Sequence, residues 1–229
     1  MNQLRRSVVL GVLTLIAIFA SAQRTYSPNF AVGAKGGITE GLMGWSPTVR
    51  QGLKPGVTFG VMARYTEESL FGLLAEFNFT QRGWAEKYPD NPEFSYSRTF
   101  TYLQLPLMTH IYFGSQKFKG FVNLGPEVGY MIANSISSNF DYHNLDGVAN
   151  YPSNRRTEQL TLDVHSRFDY GIAAGVGVEF NINRRNSLLL EARYYFGLAN
   201  VFSAKRGDTF GASRTMAIEA TVGYFFRVK

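Results

Sequence analysis

Every second residue from Phe168 to Phe180 is apolar: Phe168, Tyr170, Ile172, Ala174, Val176, Val178 and Phe180 alternate with Asp169, Gly171, Ala173, Gly175, Gly177, Glu179 and Asn181. Successive side chains of an extended strand point to opposite faces, so this segment is a strand with one hydrocarbon face and one small or charged face. The same arrangement recurs along the chain. A soluble sandwich buries its apolar face and wets its charged one, whereas a transmembrane β-barrel turns the apolar face to lipid and keeps its narrow interior polar. The pattern predicts an all-β, membrane-spanning barrel.

The N-terminus is consistent with that location. Arg5 and Arg6 precede an apolar run from Val8 to Ala20 that ends in Ala20-Ser21-Ala22, the layout of a secretory signal peptide cleaved after Ala22. The run is shorter than the ~20 residues needed to span a bilayer as a helix. Cleavage would leave residues 23–229 as the barrel domain and lower the formal charge from +6 to +4, an excess too mild to imply a nucleic-acid partner. Cysteine is absent, which excludes disulfides, thiolate metal sites and a lipidated cysteine. No later run reaches membrane-helix length, so a spanning chain must cross as strands.

Alternation and turn residues together give eight strands in an antiparallel up-and-down barrel. The first runs over Phe30–Thr39, with Lys35 inward, and the second over Lys54–Tyr65, with Arg64 inward. The third points Phe71, Leu73, Ala75, Phe77 and Phe79 outward against Glu76, Asn78 and Thr80. The fourth covers Arg98–Phe113 with Gln104, Pro106 and His110 inward, and the fifth Lys119–Ile136 with Asn123 and Glu127 inward. Phe168–Asn181 is the sixth; the seventh carries Leu188 to Leu198 outward and Glu191 and Arg193 inward; the eighth, Ser213–Val228, turns Glu219 inward. Pro106 and Pro126 remove ladder donors and are expected at bulges or bends. Connections after the second, fourth and sixth strands (Thr66–Ser69 with its Glu67-Glu68-Ser69 turn, Gly114–Phe118, Ile182–Asn186) are short and the others long, which together with the even strand number implies periplasmic termini.

An eight-stranded barrel is filled by its own side chains. The expected filling is a charge network of Lys35, Arg64, Glu76, His110, Glu127, Asp169, Glu179, Glu191, Arg193 and Glu219, helped by Asn78, Gln104 and Asn123. A one-residue register slip would turn these groups to lipid, at about 2–4 kcal/mol for each midplane Arg or Lys, so the network also fixes register. Six acids against three bases leave a carboxylate excess. The same residues could instead line a proton or ion path. Tyr65, Phe71, Trp84, Tyr102, Tyr112, Phe113, Tyr194, Tyr195, Tyr224 and Phe225 fall near strand ends and read as interfacial girdles, with Trp45 and Trp84 as an alternative carbohydrate-stacking pair.

Signals for chemistry are weak. The three histidines have no metal-ligand spacing, and His143, His165, Ser166, Asp141 and Asp163 match no catalytic pattern; no enzyme activity, cofactor or metal is implied. The third long loop, Ser137–Asp163, carries Arg155 and Arg156 and could meet a protein, a glycan or lipopolysaccharide phosphates.

Gly33-Ala34-Lys35-Gly36-Gly37, Tyr102-Leu103-Gln104-Leu105-Pro106-Leu107, Gly125-Pro126-Glu127-Val128-Gly129-Tyr130 and Gly171 to Phe180 resemble the PorT-like outer-membrane β-barrels of Bacteroidota, small porin-family barrels of the OmpA and OmpX type. Thr221, Gly223, Phe226 and Val228 resemble the terminal signal read by the barrel assembly machinery, although the chain ends in Lys229 rather than an aromatic. The resemblance implies the outer membrane of a Gram-negative bacterium, contact with outer-membrane lipids and lipopolysaccharide, and an envelope or secretion partner. The leading expectation is a non-enzymatic structural or interaction protein; the alternatives are a narrow porin-like channel and a rim-sited lipid-modifying enzyme.

Overall fold

The computed structural model describes residues 29–66, 70–152 and 154–228; the expected signal segment 1–22 and the Glu67-Glu68-Ser69 turn lie outside them. The strands are β1 (Asn29–Ser46), β2 (Gln51–Gly52), β3 (Lys54–Thr66), β4 (Phe71–Glu86), β5 (Tyr96–Gly114), β6 (Phe118–Ser138), β7 (Phe168–Asn181), β8 (Asn186–Gly197) and β9 (Ala212–Arg227). Each long strand pairs antiparallel with its sequence neighbours, and β1 pairs with β9 from Ala31↔Arg227 to Ser46↔Ala212, so the eight long strands form a closed ring. Closure removes the sheet edges, as lipid requires of any strand that crosses it. Asn29 and Arg227 lie at the same rim as the short connections 115–117 and 182–185, while 47–53, 87–95, 139–167 and 198–211 gather at the other.

The predicted strands hold in number and facing, and the segment Phe168–Asn181 in both its bounds. Outward side chains such as Ile38, Val61, Leu73, Leu107, Val176, Leu190 and Val222 form an exposed apolar belt. Three differences stand out. First, β1 and β4 run well past the belt, to Ser46 and Glu86. Beyond it the pattern inverts: Glu40, Gln81, Thr99, Ser135 and Arg214 face outward, whereas Met43, Trp45, Trp84, Phe100 and Tyr102 fill the inside. This part of the wall follows the rule of a protein in water.

Second, the prolines mark no register shift. Pro106↔Glu127 and Thr109↔Leu124 share one register, and the irregularity in that pairing lies between Thr101 and Tyr102, opposite Ala133 and Met131. Pro106 is missing from the β4–β5 pairing and Pro126 from the β5–β6 pairing, each without displacing the register, and each keeps a partner on its other side.

Third, the aromatic residues divide by parity. Tyr65, Phe71, Phe113, Tyr194 and Tyr224 are exposed as a girdle requires, but Trp84, Tyr102, Tyr112, Tyr195 and Phe225 are buried inside. Trp45 belongs to β1 and packs edge-on against Trp84 at 5.5 Å and flat on Phe202 at 5.5 Å. That arrangement overturns a carbohydrate-stacking role for the two tryptophans.

β3 begins only at Lys54, so the outer part of β1 lacks a full neighbour on that side. Two devices seal the gap. Gly41 faces Gly83 so closely that a Cβ at Gly41 would lie 2.6 Å from the Gly83 nitrogen. Farther out, Gln51 and Gly52 pair with Glu86 and Ala85, and the Gln51 carboxamide takes the place of a strand peptide by accepting from the Met43 amide (2.9 Å) and donating to the Met43 carbonyl (2.5 Å).

Candidate functional site

The interior is built in three storeys. Nearest the short-turn rim, the Arg64 guanidinium donates to both oxygens of Glu179 (2.6 and 2.9 Å), which also accepts from the Ser187 hydroxyl (2.6 Å). Arg64 lies 4.3 Å above the Phe225 ring and 3.4 Å from His110 Nε2, and His110 Nδ1 lies 2.7 Å from Asn123 Oδ1. Asn123 Nδ2 passes the chain on to Glu191 (2.8 Å).

In the middle storey Glu76 holds two cations, Lys35 at 2.6 Å and Arg193 at 2.8 Å, and accepts from Asn78 (2.8 Å). Arg193 also binds Glu191 at 2.8 Å. Above it, Arg82 bridges Glu127 (2.6 Å) and Glu219 (3.2 Å) with its guanidinium 3.7 Å from the Tyr195 ring centre, and Asp169 accepts from Thr215 (2.6 Å). All ten network residues expected from the sequence are buried inside, and hydrogen bonds or ion pairs link nine of them into these clusters, while Asp169 accepts from Thr215 beside them. Sequence reasoning missed Arg82, which binds two of the acids counted as excess and offsets one of their charges. Its signal was present: Arg82 shares the parity of Glu76, Asn78 and Thr80.

The third storey is apolar. Trp45, Trp84, Tyr96, Phe100, Met131 and Phe202 form a packed core at the long-loop end, closed by Leu160, Val201 and Phe210 from the loops. Buried ion pairs thus occupy one half of the lumen and aromatic rings the other.

The long loops are fastened over this core. Arg98 donates to Asn134 Oδ1 (2.9 Å) and to the Leu162 carbonyl (2.6 Å), and the Tyr96 hydroxyl donates to the Leu160 carbonyl (2.7 Å). Arg155 donates to Glu86 (2.6 Å) and to the Lys87 carbonyl (2.6 Å) while lying 4.1 Å from the Tyr88 ring centre. Gln159 Nε2 donates to the other Glu86 oxygen (2.9 Å). Burial pushes the Glu86 carboxyl above the usual carboxylate range, against the opposing pull of Gln159 and Arg155. Segment 139–167 is therefore a lid pinned to the barrel wall at several points.

The residues weighed for chemistry are not assembled into a site. The Ser166 hydroxyl donates to the Phe168 carbonyl, Asp141 accepts from the His143 amide in a local turn, and the His143 ring rests against Tyr142. Thr221 is buried on the inner face of β9 with Gly223, while Phe226 and Val228 point outward, so the expected assembly signal lies along a strand with both faces in use.

The sequence profile of the family described as outer membrane protein beta-barrel domain matches residues 19–203. No curated protein matches the chain. Among solved structures the chain is similar to neisserial surface protein A, with 14% identity over 88% of this chain and 99% of that one, and a TM-score of 0.44. It is also similar to OprG of Pseudomonas aeruginosa, with 12% identity over 86% and 95% and a TM-score of 0.48. Ail of Yersinia pestis, solved with the heparin analogue sucrose octasulfate, gives 13% identity over 86% and 99% and a TM-score of 0.41. With its closed ring of eight antiparallel strands and its exposed apolar belt, the chain belongs to the outer membrane protein β-barrel domain family and resides in the outer membrane of a Gram-negative bacterium.

Proposed function

We propose that this protein is a closed, non-enzymatic barrel that acts through the folded face its long loops present outside the cell. The observation that carries this reading is the filled lumen: buried ion pairs through the belt and an aromatic core at the long-loop end. Loops fastened by Arg98 and Arg155 are suited to recognition, because a preorganised surface loses little entropy on binding. The termini then lie in the periplasm after removal of residues 1–22, and β9 is handed to the barrel assembly machinery during biogenesis. The sequence resemblance to PorT-like barrels of Bacteroidota supports an accessory role beside an envelope or secretion assembly.

The test is electrical. Purified protein in planar lipid bilayers is expected to give no steady conductance, and liposomes carrying it no solute flux. A reproducible open channel would overturn the closed-barrel reading in favour of the porin-like one.

A further inference from the structure

Two recesses adjoin at the long-loop rim. One, of about 160 Å³, is lined by Thr48, Arg50, Glu86, Arg155, Arg156 and Gln159. The other, of about 300 Å³, shares Arg50 and Arg155 and is completed by Tyr88, Pro89, Asp90 and Pro152. Three loops supply these walls, and the pinning of Arg155 onto Glu86, the Lys87 carbonyl and Tyr88 fixes their relative position.

The charges divide into used and unused. Glu86, the one acid of the first recess, is neutralised by Arg155. The guanidinium groups of Arg50 and Arg156 make no hydrogen bond or ion pair among the described residues, and both are exposed. The first recess therefore carries two uncommitted cations whose planar donor forks match an oxyanion such as phosphate or sulfate. Gln159 adds a second requirement. Its Nε2 is committed to Glu86 and the Arg156 carbonyl, but its Oε1 is buried without a partner. A buried acceptor calls for a donor, and a fully ionised phosphate or sulfate has none; a sugar hydroxyl does. The second recess offers a carboxylate, Asp90, among two prolines and a tyrosine, which suits the mixed polar and apolar faces of a pyranose ring.

Building on the reading of the loop face as a recognition surface, we infer that this cleft binds a saccharide bearing a phosphate or sulfate. Arg50 and Arg156 hold the oxyanion, and the adjoining recess takes the ring. The membrane's own lipopolysaccharide core and sulfated glycans from outside the cell share this chemistry.

The experiment uses the full mature protein in nanodiscs of neutral phospholipid, with surface plasmon resonance against three probes. These are a phosphorylated core oligosaccharide released from lipopolysaccharide, the same oligosaccharide after phosphatase, and a chondroitin sulfate hexasaccharide. At least one anionic probe is expected to bind, at least tenfold more tightly than the dephosphorylated one, with affinity falling as salt rises. R50E/R156E is expected to weaken binding at least tenfold, while R184E/R185E at the short-turn rim leaves it unchanged. Binding confined to the phosphorylated core assigns the ligand to the envelope, and preference for the sulfated probe assigns it to the surroundings. No binding by a wild-type protein that keeps its heat-modifiable gel mobility overturns the inference, as does equal binding by R50E/R156E or by the dephosphorylated probe. A conductance trace on the same preparation separates the two readings, since a closed barrel that binds nothing refutes the cleft alone.

Discussion

Replacing Arg82 with methionine is the sharpest probe of the interior. The side chain is 1% exposed and serves two carboxylates, Glu127 at 2.6 Å and Glu219 at 3.2 Å. At an effective dielectric constant of about 20, those separations correspond to roughly 6 and 5 kcal/mol of attraction. Much of that offsets the desolvation of three charged groups, so the net worth of the cluster is small. Removing the cation alone is another matter, because it strands two acids in a water-poor space and forfeits the contact with Tyr195. Breaking a buried pair in this way costs about 3–5 kcal/mol. R82M is therefore expected to lower the unfolding free energy in lipid vesicles by about that amount, read from urea transitions followed by Trp45 and Trp84 fluorescence. The triple variant R82M/E127Q/E219Q, which removes the stranded charges, is expected to recover most of the loss. An R82M stability within about 1 kcal/mol of wild type, or a triple variant no better than the single, would refute the assignment of Arg82 as the cation that holds these two carboxylates.

Three other expectations follow from particular contacts. Val176→Arg places a charge on the lipid-facing side of β7 and is expected to cost about 2–4 kcal/mol in the same vesicle assay, whereas Val176→Leu should be nearly neutral; equal effects would contradict the register. Gln51→Leu removes both bonds to Met43, and hydrogen exchange at the Met43 amide should accelerate by at least tenfold while β7 amides are unchanged. In the last long loop the Ser203 hydroxyl and the Lys205 amide donate to Asp208 and hold its carboxyl below the ordinary Asp value. Because the folded value is the lower one, the ordering of 203–208 should persist down through the ordinary Asp range and be lost as pH falls through the depressed value; an NMR titration of Lys205 showing a normal Asp midpoint would contradict it.

Much of this architecture was legible in the chain because lipid imposes a single rule on every outward residue. Where that rule applied, as from Phe168 to Asn181, facing and bounds were both readable, and parity alone sent Glu76, Glu191 and Arg193 inward. The rule lapses outside the bilayer. β4 continues with Gln81, Gly83 and Ala85 outward and Arg82, Trp84 and Glu86 inward, so its apolar period changes face and the strand looks finished near Thr80. Arg82 and the aromatic core were hidden for that reason. The girdle was misread for a different one: proximity to a strand end was weighed above parity, although Tyr195 alternates in step with Glu191 and Arg193. The adjoining recesses at the rim were beyond reach, because they depend on three loops meeting and on Arg155 crossing to Glu86.

The change of face along β1 and β4 also determines how deep the barrel sits. Sliding the molecule outward would lift residues such as Ile38 and Phe79 into water, and sliding it inward would bring Glu40 and Gln81 into hydrocarbon, so displacement is opposed in both directions. Along β1 and β4 the polarity reverses within two residues, from Ile38 to Glu40 and from Phe79 to Gln81, so the opposition is steep. In a bilayer thicker or thinner than the belt, the lipids should deform around the protein before the protein shifts, and the barrel should gather toward membrane of matching thickness. Its vertical position is set by the wall itself, which keeps the loop face at a fixed height above the headgroups.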